Sequence, residues 1–243
     1  MRVLLISDIH ANLAALTAVL KHAAAWDRVW CLGDVVSYGP YPNECVEKIA
    51  ALDSLCLPGN HDWAVLGKLA VDNFNPYALE AVLWTRGQLH PSNRAYLDQL
   101  VERVPPQFSR YTLVHASPRH PVWEYIDSIS RAQANFAEFE TPICFVGHTH
   151  IPMVYRQDPL VGAVKEKLPV STPFRLGRQK MIVNPGSVGQ PRDGDPRAAY
   201  AILDTETDEL THRRVEYDIT ATQQAMDAAH LPYQLVTRLS FGR

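Results

Sequence analysis

Five times along this chain of 243 residues an apolar run ends on side chains suited to binding a cation. The first closes on Asp8 and His10 in "SDIH", the second on Asp34 in "GDVVSYG", the third on Asn60, His61 and Asp62 in "GNHD", the fourth on His115 in "VHAS", and the fifth on His148 and His150 in "FVGHTH". Imidazole is the commonest side-chain metal ligand, and side chains at i and i+2 of an extended segment point the same way, as in the pairs Asp8/His10 and His148/His150. Taken singly, each has a plainer role: Asp8 as a helix cap, Asp34 and the Asn60–His61 pair as turn residues, a strand histidine as an interior group. Five strand ends of one chemical kind point instead to a shared site, because open α/β sheets build their sites where strand carboxyl ends meet the loops that leave them.

The elements that must position these residues alternate. "RVLLIS" (2–7), "RVWCLG" (28–33), "SLCLPG" (54–59), "YTLVHA" (111–116) and "ICFVGH" (143–148) read as strands apolar on both faces. Helices are expected over 12–25, with Leu13, Leu16, Leu20 and Ala24 on one face, over 42–52 from Pro42, over 76–90, over 92–104 with Ser92 as cap, and over 130–140. After residue 150 the pattern turns β-rich. "IPMVYR", "KMIVNP", "AAYAILD" and "THRRVEYDI" read as strands, the last two as an antiparallel hairpin around "TETDEL", before a helix near 220–229 and a short amphipathic piece. The pattern suggests one domain over 1–243 with two sheets and helices outside them, a helical insertion at about 63–107 and a surface excursion at about 158–180.

Composition narrows the function classes. Apolar residues make up 47% of the chain, too many for disorder, and the net charge of −3 comes without any block of Lys or Arg. A nucleic-acid partner is therefore not expected. The opening apolar run is too short for a signal peptide, and no stretch has the length of a membrane span, so a soluble cytoplasmic protein is expected. Cys31, Cys45, Cys56 and Cys144 are scattered through apolar stretches without a CxxC and read as buried free thiols.

In this order, "DIH", "GDVVSYG", "GNHD", "VHAS" and "GHTH" resemble the motifs of the calcineurin-like metallophosphoesterase superfamily. The resemblance is strongest to its small bacterial and archaeal members, which also carry a segment like "NPGSVGQPRDG" (184–194). It implies a four-layer α/β/β/α sandwich of two mixed β-sheets flanked by helices, with a dinuclear metal site at the strand carboxyl ends. It also implies that Asp8, His10 and His150 hold one metal, that Asn60, His115 and His148 hold the second, and that Asp34 bridges both. His61 resembles the histidine that contacts substrate and assists the leaving group. The implied cofactors are two divalent transition-metal ions from among Mn, Fe, Zn, Ni and Co, since imidazole, carboxylate and amide ligands suit these better than Ca²⁺ or Mg²⁺.

The residue types agree with that assignment. Two divalent cations outweigh two carboxylates and a bridging hydroxide by about one charge, which attracts a phosphate anion. Such a pair supplies hydroxide for in-line attack, and His61 assists the departing oxygen. The protein Ser/Thr phosphatases of the superfamily have an Asp and an Arg where Ser37 and Tyr38 stand here. His61 therefore needs another orienting partner, Asp62 or a backbone carbonyl. The missing cation leaves room for a phosphodiester, unless Arg192 reaches in from the "GSVGQPRDG" loop. That loop reads either as a glycine-rich turn or as a wall where Gln190 or Arg192 touches substrate. Asn12 reads as a helix cap, as a ligand for a phosphate oxygen, or as both. Tyr38, Tyr41 and Trp63 follow motif residues and suit core packing or stacking on a substrate ring.

The expected activity is hydrolysis of small, nucleotide-like phosphodiesters or phosphomonoesters. A nuclease should show a basic track or an added binding domain, and neither is visible. A catalytically silent scaffold of the same fold should show a broken ligand set, whereas every ligand candidate and His61 is present.

Overall fold

The computed structural model describes residues 1–52, 54–103 and 110–243. Strands β1 (Arg2–Ile6), β2 (Arg28–Cys31), β3 (Ser54–Cys56), β4 (Tyr111–Leu113), β5 (Ile143–Phe145), β6 (Met153–Asp158), β7 (Gly162–Lys167), β8 (Phe174–Arg175), β9 (Met181–Asn184), β10 (Ala198–Asp204) and β11 (Glu209–Val215) form two sheets. The first has the order β3-β2-β1-β10-β11-β8 and the second β4-β5-β9-β6-β7. Both are mixed: β1, β2 and β3 run parallel in one, β4, β5 and β9 in the other, and the remaining pairings are antiparallel. The expected hairpin is β10–β11, paired from Ala198↔Val215 to Asp204↔Glu209.

Four layers follow from strands buried on both faces. Alternate residues Val3 and Leu5 of β1 join Trp30, Leu57, Leu113, Phe145 and Val183 in a core between the sheets. Leu4 and Ile6 face the other way, against α1 (Leu13–Ala23) and α2 (Pro42–Ala50). Behind the second sheet, Cys144 and Ile182 pack against Ala132 of α6 (Ile129–Asn135). Burying each large side chain contributes about 1.5–3 kcal/mol, which is why apolar runs without polar alternation fold as interior strands.

Some elements differ from the sequence reading. The segment 63–107 contains α4 (Pro76–Gln88) and α5 (Pro91–Asp98), and the described part of it ends at Arg103. Ser92 is not a cap: Pro91 takes the first helical position, where its missing N–H costs nothing, and His90 becomes the N-cap. Residue 104 of the expected 92–104 helix and residues 104–107 of the expected 63–107 insertion lie outside the described residues, as do 53, 108 and 109. The segment 158–180 is not only a surface excursion, since it supplies the edge strand β7, paired along β6, and the short β8. The "GNHD" motif opens a helix, α3 (Asn60–Leu66), rather than a turn. The C-terminal helices α7 (Ile219–Ala228) and α8 (Tyr233–Arg238) pack Met226, Leu235 and Leu239 against Tyr38. Cys31, Cys45, Cys56 and Cys144 are buried free thiols. Among the described residues no helix is long and apolar enough to cross a membrane.

Candidate metal centre

The strands stop short of the motif residues, and the loops that carry those residues are laced to one another instead. Asp8 N donates to Gly33 O at 3.0 Å and His10 N to Asp34 O at 2.9 Å, joining the loops after β1 and β2. Gly147 N donates to His115 O at 2.7 Å, joining those after β4 and β5. This lacing bends the backbone hard. Asp8, His10, Ala11, Asp34, Ser37, Tyr38, His148 and His150 all have left-handed φ, between 49° and 72°. Such conformations cost about 1–3 kcal/mol each for residues with a Cβ, and they persist where the surroundings over-determine them.

Two clusters of donor atoms result. Asp8, His10, Asp34 and His150 bring one ligand atom each within 4.8 Å of one another, and so do Asp34, His115 and His148. Asp34 belongs to both. Its Oδ1 accepts from His61 N at 2.9 Å. Its Oδ2 is buried without a hydrogen-bond partner, 3.6 Å from His10 Nε2 and 3.4 Å from His115 Nε2. Asn60 presents Oδ1 3.2 Å from His115 Nε2. The ligand set read from the sequence is thus gathered in one place, with Asp34 between its two halves.

The protons test whether cations fit here. His10 Nδ1 lies 3.3 Å from Val36 O and His150 Nδ1 lies 2.6 Å from Gln190 O. A carbonyl only accepts, so both Nδ1 atoms carry the proton and both Nε2 atoms expose a lone pair. Those two Nε2 atoms face each other at 3.1 Å, a contact that repels unless a cation lies against both. His115 is fixed the same way by Leu32 O at 2.9 Å, while His148 donates from Nε2 to Trp123 O at 3.0 Å, which leaves the lone pair on Nδ1. Backbone carbonyls that set each tautomer are the usual outer support of metal-bound histidine. Burial holds His10, His148 and His150 well below the ordinary imidazole range, so they are neutral, as ligands must be. Burial works in the same direction on His115, but the charges of Asp34 and then of Asp8 outweigh it and push the group up to about 9. Burial also opposes ionising Asp34, yet His115 and His61 hold its carboxyl well below the usual range. The second cluster thus attracts positive charge strongly enough to draw a proton.

His61 stands beside the clusters, its ring edge-on to His10 at 5.0 Å. Asp62 does not orient it, contrary to one expectation. The Asp62 carboxylate accepts from the main-chain N–H groups of Val35, Val36 and Gly59 at 3.3, 3.0 and 2.9 Å, so it braces the loops after β2 and β3. The partner is Ser37, whose Oγ lies 3.1 Å from His61 Nδ1, so a hydroxyl does the work first looked for from a carboxylate or a carbonyl. Asn12 is committed to structure: its Oδ1 caps α1 through Ala15 N and its Nδ2 donates to Gly189 O, both in the interior. Gln190 is also turned inward, with Oε1 accepting from Arg192 Nε and Nη2 at 3.2 and 2.8 Å. Arg192 does reach in. Its guanidinium carbon lies 5.9 Å over the ring of Tyr38. A cation therefore stands over the residue that took an arginine's place in the motif, and the argument for diesters from a missing positive charge loses its force. Tyr38 is packed 4.4 Å from the ring of His61, while Tyr41 is a helix N-cap and Trp63 lies within α3.

Sequence reasoning missed three aromatic walls. Phe74 meets the His61 ring edge-on at 5.1 Å, Trp123 supplies the carbonyl for His148, and Tyr125 stacks on His148 at 3.8 Å. They stand in stretches without periodic pattern, and no local signal marked them.

Gly147 shows how little slack remains. A Cβ there would lie 1.9 Å from Ser7 Oγ and 2.8 Å from Asp8 Oδ2. Gly147→Ala is expected to destabilise the fold by about 1–3 kcal/mol in urea titration and to lower metal content by displacing Asp8. Full stability with full metal content would show that the loops are looser than this contact implies.

The fold and site define a metallophosphoesterase. The chain belongs to the calcineurin-like phosphoesterase superfamily, whose domain model matches residues 1–208. It is 39% identical to an uncharacterized protein of Methanocaldococcus jannaschii over 98% of this chain and 97% of that protein. It is similar to the crystal structure of a metallophosphoesterase from Sphaerobacter thermophilus, with 48% identity, a TM-score of 0.91, and coverage of 100% of this chain and 99% of that one. It shares its fold with a hypothetical protein of Pyrococcus horikoshii at 21% identity and a TM-score of 0.80, over 100% of this chain and 98% of that one.

Proposed function

We propose that this protein is a hydrolase of small phosphoesters, diester or monoester and nucleotide-like in size, working with two divalent transition-metal ions. The observation that carries this reading is Asp34 Oδ2, buried, without a partner, and equidistant to within a few tenths of an ångström from histidines of both clusters. In the proposal Asp8, His10 and His150 hold one ion, Asn60, His115 and His148 the other, and Asp34 both. When bound, such a pair supplies a nucleophile at neutral pH and positive charge against a phosphoryl group. The chain's own residues do the rest. Val36, Gln190, Leu32 and Trp123 carbonyls keep the four imidazoles in the ligating tautomer. Burial lowers His61 to about 4, so it enters neutral; held by Ser37, it offers Nε2 to the departing oxygen. Arg192 takes charge on the phosphate's other oxygens, Gln190 sets its direction, and Asp62 and Asn12 hold the loops. The net charge of −3 argues for a small substrate rather than a nucleic acid, and the same reading puts the protein in the cytoplasm.

The test is a screen of mono-aryl and bis-aryl phosphates, cyclic nucleotides and dinucleoside polyphosphates with Mn²⁺, Ni²⁺ and Zn²⁺. Turnover of at least one class, abolished by chelator and restored by metal, is expected. No cleavage of any phosphoester with any of the ions, in protein shown to contain two, would remove the proposal.

A further inference from the structure

The candidate ligands scarcely meet solvent: none is more than 3% exposed, and His61 beside them only 5%. Rings stand in between. The ring of His61 lies 4.4 Å from that of Tyr38 on one side and 5.1 Å from that of Phe74 on the other. Phe74 meets Trp123 at 5.3 Å, Trp123 meets His148 at 6.4 Å, and Tyr125 is stacked on His148 at 3.8 Å. These spacings are those of favourable aromatic pairs. Arg192 closes the series on itself, since it bonds Tyr125 and stands over Tyr38. Exposure rises outward along it, from buried Tyr38 through half-buried Phe74, Trp123 and Arg192 to Tyr125, which is 39% exposed.

The local sequence brings rings to a polar centre. In "PVWEYI" (121–126) Val122 and Ile126 are buried and pin the segment at both ends. Glu124, between the two rings, turns away: it accepts from Ser117 Oγ at 2.7 Å and Asn135 Nδ2 at 3.0 Å and pairs with Arg119. Trp123 and Tyr125 are left facing His148. Core packing does not account for them, because Trp123 joins none of the hydrophobic cores and Tyr125 keeps an exposed face. The series contains no carboxylate and one cation, Arg192, which a phosphate takes. A phosphoryl group held at the ions puts its departing oxygen at His61. The group on that oxygen then meets Phe74 and Trp123 next.

We propose that Phe74, Trp123 and Tyr125 bind the organic part of the substrate by stacking, so that phosphoesters carrying a planar aromatic or heteroaromatic ring are preferred over those without one. This rests on the phosphoesterase reading above and narrows its substrate class. The ring is either joined directly to the ester oxygen or carried one sugar away, and stacking chemistry is the same for both.

The test measures calorimetric binding, and competitive inhibition of bis-aryl phosphate hydrolysis, for two matched pairs at fixed free Mn²⁺: phenyl with cyclohexyl phosphate, and AMP with ribose 5-phosphate. The member with the planar ring should bind at least about fivefold tighter in one pair or both, and which pair shows this locates the ring. Trp123→Ala and Tyr125→Ala should each bring the ratio toward one with metal content unchanged, because the Trp123 carbonyl that serves His148 belongs to the main chain. Trp123→Phe and Tyr125→Phe should keep most of it. Should an alanine variant lose metal, Trp123→Leu and Tyr125→Leu repeat the test with bulk but no π face. No preference in either pair would overturn the stacking surface. So would a preference that the alanine and leucine variants leave intact. A preference in protein that cleaves no phosphoester leaves the stacking surface standing and removes the hydrolase reading, and cleavage without preference does the opposite.

Discussion

Asp34→Ala protein should leave purification with neither cation site filled, and its phosphoesterase turnover should fall by more than about a thousandfold. The reason is geometric. Asp34 Oδ2 lies within 3.6 Å of ligand nitrogens in both clusters, so its removal takes a donor from each. It also removes the shared negative charge that lets two cations approach each other. His148→Ala makes the contrast, because His148 belongs to one cluster alone. That variant should keep the ion of the other cluster and lose occupancy only at its own. Metal analysis of the two variants after identical loading reads this directly. Two full sites in Asp34→Ala, or an identical loss in both variants, would mean that Asp34 does not join the two halves. Since Asp34 Oδ1 also accepts from His61 N at 2.9 Å, Asp34→Asn serves as the control for folding: it keeps the volume and an acceptor while removing the charge.

His61→Ala should do the reverse, keeping both ions and losing turnover by about 10²–10³-fold, the range for removing one hydrogen-bond donor to developing negative charge. Its ring offers no ligand atom to either cluster, so metal content should not change. The loss should depend on the leaving group. An aryl oxide departs without much help, whereas an alkoxide needs a proton or a hydrogen bond as the bond breaks. An alkyl ester should therefore lose more than its nitrophenyl counterpart. Equal losses for both would move His61 from the departing oxygen to a phosphate oxygen. Ser37→Ala should repeat the pattern at smaller size, since Ser37 Oγ at 3.1 Å orients Nδ1 without touching the substrate.

The candidate ligands were legible because each sits within a few residues of an apolar run, and strand ends are where chain direction alone decides which groups converge. Asp8, Asp34, Asn60, His115, His148 and His150 all follow parallel strands, so one rule located them. Ser37 was legible as a departure from a motif but not as a partner, because the hydrogen bond depends on left-handed backbone at Ser37 and Tyr38 that no spacing reveals. Asp62 misled for the complementary reason: adjacency in sequence to His61 says nothing about direction, and a carboxylate at the third position of a helix turns back to the N–H groups before it. The edge strand β7 was hidden because "GAVKEK" buries little but Ala163, and a half-exposed charged strand looks like a loop. Phe74, Trp123 and Tyr125 reach the site from connections, where hydrophobic period carries no information.

Each cluster draws its side chains from both layers. Asp8, Asp34 and Asn60 ride on the first sheet, and His115, His148 and His150 on the second. Side-chain bulk in between, such as Trp30 and Leu57 against Leu113 and Phe145, helps set how far apart those layers stand. The gap that a substrate meets is therefore gauged by hydrocarbon thickness well below it. A shaved or swollen interior residue that touches neither ion nor substrate would shift the jaws against each other and detune the chemistry from beneath.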